Sequence, residues 1–180
     1  MRIIAGKYRG RQIQSSRDRS IRPTTAKIKE YIFQILGDIT HDARTLDMFS
    51  GSGGLGMEAL SRGAASVTFV DLAHSSLKVL RGNLKRIGIE EPCETIRKDV
   101  IPFLKKNPTP FDLVFADPPF KWSQFDTFLP LIFEENNLTE NGIFVLEYER
   151  SHAINWDTIP CEVLRQKQYD RSIIVFARRK

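Results

Sequence analysis

Thr45-Leu46-Asp47-Met48-Phe49-Ser50-Gly51-Ser52-Gly53-Gly54-Leu55-Gly56-Met57-Glu58-Ala59-Leu60-Ser61-Arg62 sets the architecture of everything around it. A short apolar run, Thr45 to Phe49, passes through a glycine cluster into a helical segment from about Leu55 to Arg62. Gly51, Gly53 and Gly56 have the spacing G-x-G-x-x-G. Glycines at these places let the chain turn sharply, let the backbone approach a ligand and let the helix pack closely on the strand. The spacing alone also suits a ligand-free strand-to-helix turn or a nicotinamide dinucleotide site. Met57-Glu58 stand where a P-loop requires Lys and Ser or Thr, and Ser50 stands where a nucleophile elbow around Ser52 requires Gly.

Outward from this loop the same alternation repeats. Apolar runs at Ser66–Asp71, Glu94–Lys98, Asp112–Ala116 and Ile143–Tyr148 alternate with helical stretches near Ser75–Ile87, Val100–Lys106 and Phe125–Glu134. Repeated βα units predict a mostly parallel sheet with helices on both faces, an α/β Rossmann-like fold. Glu162–Gln168 and Ser172–Arg178, joined by Tyr169-Asp170-Arg171, predict an antiparallel hairpin at the end. Upstream, Thr24 and Thr25 can cap a helix whose Ile28, Ile32, Ile35 and Leu36 share one face, with Gly37 after it.

Acids mark the strand ends. Asp47 lies four residues before the first glycine, Asp71 ends the second strand and Asp99 follows the third. Each alone reads equally as a turn or cap residue. Together they line the crevice at the carboxyl ends of the strands, where open α/β sheets bind ligands. A cation suits Asp47 better than a pyrophosphate does. Asp71 can accept from ribose hydroxyls and Asp99 from an adenine amine. The ligand that presents an ammonium, a sulfonium, a ribose and an adenine is S-adenosylmethionine.

After the fourth strand comes Asp117-Pro118-Pro119-Phe120. The prolines fix backbone angles and supply no N–H, so the Pro118 carbonyl can be held toward the crevice. An exocyclic nucleobase amine is a poor nucleophile because its lone pair is delocalised into the ring. A carboxylate on Asp117 and the Pro118 carbonyl can each accept one of its N–H bonds, which turns the lone pair toward a methyl donor and stabilises the developing positive charge. Phe120 can stack on the base. This chemistry needs neither a metal nor a covalent nucleophile.

The charge is unevenly placed. The 180-residue chain carries 27 Lys and Arg against 22 Asp and Glu. Residues 1–30 hold nine of these bases and only two of the acids, so the excess lies in an N-terminal arm on a near-neutral body. Such asymmetry points to a polyanion. Ile3, Ile4, Tyr8 and Ile13 among the bases, with Gly6 and Gly10 at turns, suggest a folded hairpin rather than a solvated tail. With 41% apolar and 27% charged residues, and no apolar run near the roughly 18 residues of a membrane span, a globular protein is expected. Cys93 and Cys161 make no disulfide framework, and His41, His74 and His152 lack metal-ligand spacing, so they read as surface or turn residues. With no leader-like segment, a reducing cytoplasmic location is expected.

These motifs resemble the Rossmann-like class I S-adenosylmethionine-dependent methyltransferases. Met1–Arg11, Arg22-Pro23-Thr24-Thr25, Leu46–Ala64, Asn83-Leu84 and Asp117–Phe120 are together similar to the RsmD family, bacterial guanine-N2 methyltransferases of small-subunit (16S) ribosomal RNA. The resemblance implies a seven-stranded sheet, S-adenosylmethionine as cofactor with no metal, and a cofactor site of Asp47, Phe49, Gly51, Ser52, Gly53, Gly56, Asp71, Asp99 and Val100. It implies that Asp117, Pro118, Pro119 and Phe120 hold the guanine. Arg2, Lys7, Arg9, Arg11 and Arg22 would contact RNA. Residues 1–38 would form a basic RNA-binding extension and residues 39–180 the catalytic domain, working as a monomer on the assembled or assembling subunit. The one departure is Asp71 where Glu is usual, and either carboxylate can accept from a ribose. Lys121 and Trp122 suit either RNA contact or packing. An amino-methyltransferase of DNA or of a protein amide would share the pocket, a non-catalytic RNA-binding module would use only the arm, and a nicotinamide-dependent oxidoreductase would leave Asp47 and the Pro-Pro motif unexplained.

Overall fold

The computed structural model describes residues 1–15 and 26–180. Helix α1 (Ala26–Leu36) precedes a βα series: β1 (Arg44–Met48), α2 (Gly54–Ser61), β2 (Ser66–Asp71), α3 (His74–Ile87), β3 (Cys93–Arg97), α4 (Val100–Leu104), β4 (Phe111–Ala116), α5 (Phe125–Ile132) and β5 (Leu138–Glu149). Strands β6 (Cys161–Tyr169) and β7 (Ser172–Arg179) close the chain as an antiparallel hairpin. All seven strands form one sheet in the order β3-β2-β1-β4-β5-β7-β6, parallel from β3 to β5. The expected α/β Rossmann-like fold, with its terminal hairpin, is the fold observed.

Two apolar layers sandwich the central strands, and alternation along each strand assigns its buried side chains to one layer or the other. On β4, Leu113 and Phe115 join the layer under α1, α2 and α3, while Val114 and Ala116 join the layer under α4 and α5. On β7, Ile174 and Phe176 face the first layer and Val175 and Ala177 the second. Burial on both faces explains why these strands read as continuous apolar runs.

Several boundaries differ from expectation for local reasons. β1 stops at Met48 because Phe49 takes a left-handed conformation, φ 54°. β5 begins at Leu138, well before Ile143, where polar Thr139, Glu140 and Asn141 obscure the strand pattern. Helix α4 ends at Leu104 and α5 at Ile132. The N-terminal hairpin is reduced to one antiparallel bridge, Arg2 with Gln12. Its amides have other acceptors: Ile4 N and Ala5 N donate to the Glu58 carboxylate at 2.8 and 3.0 Å, and Lys7 N to the Ser61 carbonyl at 2.7 Å. Thr24 and Thr25, the expected cap of α1, lie outside the described residues.

The order reverses between β1 and β4, which pair with Met48 opposite Ala116. A crevice opens at such a switch point, above the carboxyl ends of the two strands. The residues that follow β1 begin the glycine loop, and those that follow β4 are Asp117-Pro118-Pro119-Phe120.

Candidate functional site

The glycine loop is held by hydrogen bonds from below and from the side. Phe49, Gly51 and Gly53 have φ values of 54°, 52° and 83°, so the chain reverses in the left-handed region that glycine adopts without strain. Gly53 N donates to the Ser50 carbonyl at 2.7 Å, and Met57 N to the Gly53 carbonyl at 3.0 Å, starting α2. A Cβ on Gly56 would lie 2.3 Å from the Phe69 ring, so glycine there allows α2 to sit close on β2.

Asp47 is buried beneath the loop, and its Oδ2 accepts from Gly56 N at 2.8 Å. Burial pushes its pKa up to about 8, with a smaller contribution from the charge of Asp71 and against the bond from Gly56. Asp71 spans two turns: its carboxylate accepts from Gly51 N and from Ala73 N, each at 2.8 Å. Its pKa is also raised by burial. Asp99 caps α4, accepting from Ile101 N at 2.9 Å, and Val100 beside it is buried. The three acids thus follow one another along the rim from β1 to β3, each also bonded to the backbone of its own turn.

This donor set tests what the crevice can hold. A positively charged ligand would stabilise the ionised form that burial disfavours in Asp47 and Asp71, whereas a pyrophosphate would disfavour it further. Ser50 Oγ, within the loop, is buried and has no hydrogen-bond partner. Leu72 beside Asp71 exposes 62% of its surface, an apolar contact at the rim for a flat ring. The residues fit S-adenosylmethionine: a cationic end near the loop, a ribose by Asp71 and an aromatic base by Leu72 and Asp99. Among the described residues no cluster of His, Cys, Asp or Glu is arranged to hold a metal ion.

Across the switch point, Pro118 is buried, Asp117 and Phe120 are half-buried, and Pro119 is exposed. Trp122 N donates to the Pro119 carbonyl at 2.8 Å and closes the turn. The Trp122 ring packs edge-on against Phe49, Phe125 and Phe128 at centroid separations of 5.0 to 5.2 Å. It therefore ties the glycine loop to the turn after β4. Sequence reading left Trp122 open between packing and RNA contact, and in the fold it packs.

Of the expected RNA contacts, Arg2 and Arg9 are exposed. Lys7 pairs with Glu90 and Glu91 at 2.8 and 2.9 Å, which raises its pKa. Arg11 donates to the Ile87 carbonyl and lies 5.3 Å from the Tyr8 ring centre. Arg22 falls outside the described residues.

Sequence reading missed the residues that dock this arm. Glu58 is fully buried, pairs with buried Lys29 at 2.9 Å, and also accepts from Arg62 Nε and two arm amides. A charge within an otherwise buried helix was the available signal. Asn83, buried on α3, donates to the Gln14 carbonyl at 2.9 Å and to the Ser52 carbonyl at 3.1 Å, joining the arm to the glycine loop. No local pattern announces that role. Ser50 and His152 were likewise not singled out for the site.

Comparison with known proteins adds a family. Residues 1–178 match the family model described as conserved hypothetical protein 95. YlbH of Bacillus subtilis is 39% identical over 153 residues, 83% of each chain. The Haemophilus influenzae protein named ribosomal RNA small subunit methyltransferase D is 37% identical over 163 residues, 87% of this chain and 84% of that one. The solved structure of YhhF from Escherichia coli superposes with a TM-score of 0.88 at 30% identity, covering 100% of this chain and 98% of that one.

Proposed function

The chain belongs to the RsmD family of methyltransferases, described as conserved hypothetical protein 95, and from that premise we propose that it is an S-adenosylmethionine-dependent ribosomal RNA methyltransferase. Its acceptor in this reading is the exocyclic N2 amine of a guanine in small-subunit RNA, within the assembled or assembling subunit. The observation that carries the reading is the pairing of Met48 with Ala116, which sets the glycine loop and Asp117-Pro118-Pro119-Phe120 on adjacent strand ends.

S-adenosylmethionine supplies an electrophilic methyl carbon. The loop around Gly51 and Gly53, with Asp47 below and Asp71 beside it, holds the cofactor's amino-acid and ribose parts, and Asp99 with Val100 holds the adenine. Asp117 and the Pro118 carbonyl accept the two N–H bonds of the amine and direct its lone pair along the line of transfer. The Asp117 carboxylate also stabilises the positive charge that grows on nitrogen. Phe120 stacks on the guanine after it leaves its own stack. Unpaired bases in RNA can be presented in this way, while Arg2 and Arg9 engage phosphates without reading sequence. Residues 1–38 serve as the RNA-binding extension and 39–180 as the catalytic domain of a cytoplasmic monomer.

Labelled methyl transfer from S-adenosylmethionine tests the acceptor class, with small-subunit RNA offered naked and as assembled particles beside DNA and bulk protein. Label entering RNA supports the reading. Label entering only DNA or only protein assigns the same pocket to another amine. Asp117→Ala is expected to lower kcat by about 10²-fold or more, with the affinity for S-adenosylhomocysteine unchanged by calorimetry.

A further inference from the structure

We propose that His152 is a positioning residue for the base-holding turn, acting on Phe120 from outside the motif. The inference rests on the function proposed above for Asp117 to Phe120.

His152 lies just beyond β5, where its own N–H donates to the Glu149 carbonyl at 3.0 Å. Its Nε2 stands 2.8 Å from the Phe120 carbonyl. A carbonyl only accepts, so Nε2 carries the proton and donates. The imidazole also packs on the Phe125 ring, 5.1 Å between centres. The ring is thereby fixed on one side by an aromatic neighbour and on the other by the bond it gives.

His152 adds an anchor to the turn beside the packing of Trp122 on Phe49, Phe125 and Phe128. Pro118 and Pro119 carry no N–H, so neither can donate a backbone hydrogen bond to the chain beside the turn. At the far end of the turn, Trp122 N donates to the Pro119 carbonyl. The bond from His152 fixes the next peptide plane, the one that follows the Phe120 ring. Phe120 must hold a base so that its amine meets the methyl carbon in line, and small displacements there cost rate steeply. His152 comes from the chain beyond β5, so it couples the β5 end of the crevice to the residue that sets the plane of the base.

Three proteins test this: the intact chain, His152→Ala and His152→Gln, whose amide can still donate to the Phe120 carbonyl. His152→Ala is expected to lower kcat about tenfold, with KM for S-adenosylmethionine and the S-adenosylhomocysteine affinity unchanged. His152→Gln is expected to restore most of that loss. Amide exchange at Trp122 gives a second reading that needs no substrate: it should quicken in His152→Ala and slow again in His152→Gln. Unchanged kcat and unchanged exchange in His152→Ala would overturn the inference, as would glutamine and alanine being equally slow. If the intact chain transfers no methyl to RNA while exchange follows the predicted order, the functional reading fails and the anchoring of the turn stands.

Discussion

At the scale of single residues, Asp47 shows how a reading by residue type needs geometry to complete it. An acid at the end of β1 was legible in the sequence. Its burial under the loop and its bond to Gly56 were not, because they depend on how tightly α2 packs on β2. The consequence is a pH dependence with a defined sign. In the free protein Asp47 keeps its proton up to about pH 8, well above an ordinary carboxyl group. A cationic ligand above it favours the carboxylate and lowers that pKa, so binding near neutrality releases a proton. Affinity for S-adenosylmethionine should therefore rise with pH through neutrality and level off above about pH 8, and Asp47→Asn should flatten the profile. Calorimetry in two buffers of different ionisation enthalpy measures the proton directly; affinity that is independent of pH would refute the role given to Asp47. The same proton acts oppositely on folding. A carboxyl that titrates near 8 when folded and near 4 when unfolded makes the fold lose stability as pH rises between those values.

At the scale of elements, the basic arm is where sequence and structure diverge most. Its charge and its scattered isoleucines were readable, and Ile3, Tyr8 and Ile13 do enter the core. Which of its bases remain available was not readable, because the partners come from distant parts of the chain: Glu90 and Glu91 for Lys7, the end of α3 for Arg11. Gly6, with φ 82°, passes so close to α2 that a Cβ would lie 1.6 Å from the Ser61 carbonyl. The arm therefore has a tailored seat on α2, and Glu58 is its centre. Glu58→Ala would leave Lys29 buried without its carboxylate and Ile4 and Ala5 N–H without acceptors. Breaking a buried ion pair by removing one partner costs about 3–5 kcal/mol, and urea unfolding should show a loss of that size. A loss under about 1 kcal/mol, the range of a surface ion pair, would mean the arm is held by other contacts.

At the scale of the whole molecule, the alternation of strands and helices was legible because the central strands β1, β4 and β7 are largely buried on both faces and helices α1 and α3 each bury one apolar stripe. The order β3-β2-β1-β4-β5-β7-β6 was beyond periodicity alone, since it depends on which strands pair across long crossovers. That order brings the glycine loop and the Pro-Pro turn to one crevice. In the function proposed above, basic groups on the arm add a field that draws RNA to it, and binding that rests on phosphates falls as salt rises. Exposed Arg9 is the arm residue to vary, because Arg11 also anchors the arm. Arg9→Ala should weaken RNA binding and reduce the slope of log K against log salt by about 1, with cofactor affinity unchanged; an equal loss of cofactor affinity would end this division of labour. The central claim, that the crevice transfers a methyl group to the N2 amine of a guanine, is tested most directly by nucleoside mass analysis of small-subunit RNA after incubation with S-adenosylmethionine and the protein. N2-methylguanosine formed by the intact chain and absent with Asp117→Ala is the predicted result. A methyl group found on a different nucleoside, or formed equally by Asp117→Ala, would contradict it.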